Sequence, residues 1–66
     1  MKVRKVSEII KQLEQAGWYL YRHNDSSHRQ FKHLTINGKV TVNGKPSGDI
    51  SGSLLKSIEK QSGIIF

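Results

Sequence analysis

The stretch HRQFKHLTINGKVTVN, residues 28–43, decides the fold. Two alternating runs flank Asn37-Gly38, the dipeptide that most strongly favours a hairpin. In the first run, His28 to His33, strand geometry puts Arg29, Phe31 and His33 on one side and His28, Gln30 and Lys32 on the other. In the second run, Lys39 to about Asn43, Val40 and Val42 turn inward while Lys39 and Thr41 turn outward. With Phe31 and the two valines as core, His28 stands on the open face beside Gln30 and Lys32.

Working outward, "HNDSS" at 23–27 is a polar connection in which Asn24-Asp25 is good turn chemistry. Before it, "WYLYR" reads as a strand from Trp18 to Arg22, with Trp18 and Leu20 on one face and Tyr19 and Tyr21 on the other. Val6, Ile9, Ile10, Leu13 and Ala16 form one apolar stripe at helical spacing. Ser7 is placed to cap that helix, Glu8 to favour the positive end of its dipole, and Gly17 to stop it. Beyond the hairpin, "NGKPSGD" is a loop. A second helix is expected from about Ser51 to Ser62, with Ile50, Leu54, Leu55 and Ile58 as its stripe and Gly63 as its end. The tail Ile64, Ile65, Phe66 is expected to fold back on the core. The fold class is therefore α+β: helix, three strands, helix, with a three-stranded antiparallel sheet and both helices packed on one face. Residues 1–66 are expected to form a single domain.

The open face then carries Tyr19, Tyr21, His28, Gln30, Lys32, Lys39 and Thr41. Aromatic, basic and amide groups together suit phosphate contacts and stacking on bases, although a solvated face of ordinary cross-strand pairs has the same composition. Eleven Lys and Arg stand against five Asp and Glu, a net charge of +6. They are spread along the chain, which points to a folded basic surface and a polyanionic partner. With no cysteine, thiolate metal sites, disulfides and cysteine nucleophiles are excluded. No apolar run approaches a membrane span and no signal peptide is evident, so a cytoplasmic protein with no membrane association is expected.

His23, His28 and His33 recur every five residues, but His28 and His33 point to opposite sides of one strand and Asp25 is the nearest carboxylate. No metal site is expected from them. "GKPSG" lacks the spacing and helix context of a phosphate-binding loop. One reaction fits what remains. RNA carries its own nucleophile, the 2′-hydroxyl, so an enzyme needs a base with a pKa near neutrality and cations for the phosphorane charge. His28, followed by Arg29, Gln30 and Lys32, is the candidate base; the alternative is a surface histidine at a strand start.

The segments "SEIIKQLEQAGWYLYRHNDSSHRQFKH" (7–33), "GKVTV" (38–42) and "ISGSLLKSIEKQSGI" (50–64) together resemble the HicA family of RNA-cleaving toxins, the mRNA interferases. The marks are Gly17-Trp18, Ser27-His28 with Phe31 three residues on, Val40-Thr41-Val42, and Gly52-Ser53-Leu54 leading to Ile58. The resemblance implies a double-stranded-RNA-binding-domain-like fold of order α-β-β-β-α. It further implies a cytoplasmic toxin that cleaves mRNA without metal or small-molecule cofactor and is neutralised by a HicB-type antitoxin. The family's catalytic histidine falls on His28. Lys32, Lys39, Arg29, Gln30, Tyr21, Ser27 and Lys45 are the residues expected to contact RNA, with Arg29 pointing away by parity. The chain departs from the family at Ser26, where a glycine is usual, and at "NGKP", where Lys45 stands nearest to the family's Pro and His. Two other readings share the charge and the fold: a non-catalytic RNA-binding module and a basic protein-interaction domain. A duplex binder of this fold places lysines at the start of its last helix, whereas here the first cation of that helix is Lys56.

Overall fold

The computed structural model describes residues 2–24 and 28–66. Along the chain run β1 (Val3–Lys5), α1 (Val6–Gln15), β2 (Trp18–Asn24), β3 (His28–His33), β4 (Lys39–Asn43), β5 (Asp49–Ser51) and α2 (Gly52–Ser62). Strands β2, β3 and β4 form the expected antiparallel sheet in that order, which with the two helices gives the α-β-β-β-α arrangement. Strands β1 and β5 add a short antiparallel ribbon in which Lys5 faces Asp49 at ion-pair distance, 3.8 Å. The ribbon escaped the sequence reading because three residues are too few to show an alternation.

One side of the sheet is sealed. Trp18, Phe31, Val40 and Val42 are buried against Val6, Ile9 and Leu13 of α1 and Leu55 and Ile58 of α2, joined by Ile50 and Phe66. Each such side chain contributes about 1.5–3 kcal/mol by leaving water. Details of the expected stripes shift. Leu54 is 47 % exposed, while Leu55 and Ile58 are buried as expected and Ser62 joins them on the buried face of α2. Ile50 belongs to β5 and not to the helix, Ala16 is exposed, and Leu20, although level with Phe31, is 44 % exposed on the outer strand. The tail turns back as expected, with Phe66 buried, Ile64 partly so and Ile65 in solvent.

Ser7 does not cap α1. Lys5 is the capping residue and no side chain bonds the helix end, because the loop before β5 does that work with its backbone. Val6 N–H donates to the Gly48 carbonyl at 2.9 Å and Ser7 N–H to that of Pro46 at 3.1 Å, which satisfies the first free amides of the helix. The Asn37-Gly38 turn is also wider than a two-residue hairpin. The last ladder pair is Lys32 with Lys39, and Leu34 to Gly38 form the connection.

His33 explains that connection. Its Nδ1 accepts the backbone amides of Thr35 and Ile36, at 3.1 and 3.3 Å. In the neutral ring Nε2 therefore carries the proton, and it donates to the Ala16 carbonyl at 2.9 Å. The same ring meets Trp18 edge-on, 5.3 Å between centroids. Gly17 lies between these partners with φ +99°, and a Cβ there would come within 2.6 Å of His33 Nε2.

Gly17→Ala should therefore destabilise the fold by about 1–3 kcal/mol, from left-handed backbone strain and displacement of the His33 ring. A urea midpoint unchanged from the parent would refute this. A second outcome concerns Glu59, whose carboxylate accepts from Lys2 Nζ and from the Phe66 amide. The Lys2 bond first, and the Phe66 bond next, hold its pKa below the usual glutamate value. A lowered folded value makes this tie fully present above the ordinary range and lost as pH falls through the lowered one. Between about pH 5 and pH 3 the melting temperature of Glu59→Gln should thus fall less steeply than that of the parent; parallel slopes would contradict it.

Candidate functional site

The side of the sheet away from the helices carries His28, Gln30, Lys32, Lys39 and Tyr21 of the predicted site residues. Residues opposite each other on an antiparallel ladder share a face, so the pairings give its layout in rows. The row at one end runs Asn24, His28, Asn43; the next Arg22, Gln30, Thr41; the last Tyr19, Lys32, Lys39. His28 is exposed in the first of these. Asn43, opposite it, has a side-chain oxygen shielded from solvent with no hydrogen-bond partner among the described residues.

The middle row is set by a β-bulge. Leu20 pairs with Phe31 but Arg22 pairs with Gln30, so β2 spends one more residue than β3 there, and that residue is Tyr21. Tyr21 stays on the open face: its hydroxyl donates to Gln30 Oε1 at 2.9 Å, and Lys32 Nζ lies 4.5 Å from the centre of its ring. Strict alternation would have put Arg22 on the side of Trp18 and Leu20. The bulge turns Arg22 over to the open face, beside Gln30. Sequence reasoning missed this residue. A bulge without glycine leaves no local signal, since WYLYR alternates as well as any regular strand.

Arg29 is not part of this group. It shares the opposite side with His23 and Val42, and its Nη1 donates to the Gly44 carbonyl at 3.0 Å, tying the loop after β4 to β3. Lys45, next in that loop, is exposed two residues beyond Asn43. Ser27, and the turn and family departure at Asp25 and Ser26, lie outside the described residues. Of the three histidines, His28 alone belongs to the open face; His23 pairs with Arg29 and His33 braces the turn beside Trp18. Among the described residues no cluster of three His, Asp or Glu side chains is arranged to hold a metal ion.

The charges segregate. The described carboxylates sit on α1 (Glu8, Glu14), β5 (Asp49) and α2 (Glu59), and the last two hold Lys5 and Lys2. On the open face the described charged side chains are the cations Arg22, Lys32 and Lys39, so its potential is positive and suited to an anion. Imidazole, amide, phenol and cations on one solvent-facing surface can accept a proton, bind phosphate oxygens and meet a base. No described helix is long and apolar enough to cross a membrane.

The family model described as "HicA toxin of bacterial toxin-antitoxin" matches the chain over residues 6–64, which takes in both helices and the whole three-stranded sheet. No curated protein matches the chain.

The Tyr21–Lys32 contact has a measurable strength. A double-mutant cycle of Tyr21→Leu and Lys32→Met should give a coupling of about 0.5–1 kcal/mol in urea unfolding, as expected for an exposed cation over an aromatic ring. Strict additivity would mean that the ring does not hold the ammonium.

Proposed function

The chain belongs to the HicA toxin family of bacterial toxin–antitoxin systems, and on that premise we propose that it is an endoribonuclease that cleaves mRNA, with His28 as its general base. The observation that carries this reading is the sidedness of the sheet: one exposed imidazole lies on a face with cations and amides, and the described carboxylates lie elsewhere. An RNA strand laid across that face meets Gln30, Tyr21, Lys32 and Lys39, and Lys45 stands near the His28 end. Its proposed keeper is a HicB-type antitoxin, and its place of action the cytoplasm, where mRNA is translated.

The chemistry follows from the substrate. His28 removes the proton of a 2′-hydroxyl; that oxygen bonds to the adjacent phosphorus, and the bond from phosphorus to the 5′-oxygen of the next nucleotide breaks. The products are a 2′,3′-cyclic phosphate and a free 5′-hydroxyl, the departing oxygen taking a proton from solvent. The nucleophile belongs to the RNA, so the step calls for no metal ion and no cofactor. A non-catalytic RNA-binding module would use the same cations but would have no need of His28.

Incubation of the protein with long single-stranded RNA in excess EDTA should yield fragments ending in 2′,3′-cyclic phosphate. His28→Ala should lower the rate by about 10²–10⁴-fold while leaving RNA affinity nearly intact. Binding without cutting by either protein would replace the enzyme with a binding module, and equal cutting by both would remove His28 from the role of base.

A further inference from the structure

The expected cations within the sheet strands are badly placed for the reacting phosphate. Lys32 is four residues along β3 from His28, about 13 Å at the rise of a strand, and Lys39 shares its row. Arg29 is adjacent to His28 in sequence but faces the other side and is bound to Gly44. Arg22, by contrast, faces Gln30 and is the diagonal neighbour of His28 across β2 and β3, where Cβ atoms are on the order of 7 Å apart. It is exposed, and among the described residues no carbonyl or carboxylate holds its guanidinium.

Building on the ribonuclease reading, we propose that Arg22 is a second catalytic residue, the cation that grips the scissile phosphate while His28 takes the 2′-hydroxyl proton. A base and a phosphate clamp must both reach one phosphodiester unit, and Arg22 is the open-face cation of β2–β4 within one row of the imidazole. A long side chain from that position spans the remaining distance, and its planar fork matches two non-bridging oxygens at once. As the O2′–P bond forms and the P–O5′ bond breaks, negative charge grows on those two oxygens. A guanidinium already in place strengthens its hold at that moment. No atom of Arg22 is gained or lost; the proton moves from O2′ to His28, and solvent supplies the one taken by O5′. Lys32 and Lys39 are left to hold phosphates further along the strand. The bulge at Tyr21 is what brings Arg22 there, since a regular β2 would turn it to the core side with Phe31.

The test compares parent, Arg22→Ala, Arg22→Gln, Arg22→Lys and His28→Ala in single-turnover cleavage of a single-stranded RNA at saturating protein. Binding is measured separately with a fully 2′-O-methylated RNA of the same sequence, which offers no nucleophile. Cleavage by Arg22→Ala should fall about 10²–10³-fold, and Arg22→Lys should recover part of the loss. Affinity for the methylated RNA should weaken by less than about tenfold, with the salt slope reduced by about 0.7 for one lost phosphate contact. If Arg22→Ala cuts as fast as the parent while His28→Ala does not, the Arg22 assignment fails and the ribonuclease reading stands. If the parent itself cuts no RNA, both fall. Should Arg22→Ala fail to fold by circular dichroism, Gln against Lys decides: equal rates in those two variants overturn the role of the charge.

Discussion

A sheet of three short strands in a chain of 66 residues has enough apolar material for one face only. Trp18, Phe31, Val40 and Val42 take all the cover that the two helices provide. That limit makes the other face a solvent surface whatever its composition, and it fixes which residues are free for chemistry. The described carboxylates settle among the helices and the ribbon, two of them in contact with lysines, while the exposed face keeps its cations. The functional asymmetry of the molecule is thus a by-product of how little it can bury.

Much of this was legible from periodicity. The alternation through Phe31 and through Val40 and Val42 gave β3 and β4 their bounds and faces, because one buried side specifies strand register strongly. Gly63, with φ +76°, ended α2 where its position suggested. What could not be read were features that depend on distant backbone. Ser7 has the chemistry of a helix cap, yet the carbonyls of Pro46 and Gly48 reach the helix end first. Leu54 and Leu55 are equal as apolar residues, and only the position of β4 under α2 decides which is buried.

At the site, parity alone separated His28 from His33 and placed Gln30, Lys32, Lys39 and Thr41 together. It failed at Arg22, because strand arithmetic assumes one residue per partner and β2 breaks that rule at Tyr21. His33 shows the converse: a histidine that invites a functional reading serves as a three-way brace between the Ala16 carbonyl and the amides of Thr35 and Ile36.

The extra residue in β2 also governs how the chain can change in length. Removing Tyr21 would leave Arg22 next to Leu20 and still opposite Gln30, with His23 still opposite Arg29, so the rest of β2 would keep its faces and only the Tyr21 ring would be lost. Regular pairing at full length would instead set Arg22 opposite Arg29 and turn it to the side of Phe31. The strand can therefore shorten by one residue at this point without a reversal of sidedness, a tolerance that a regular strand would not have.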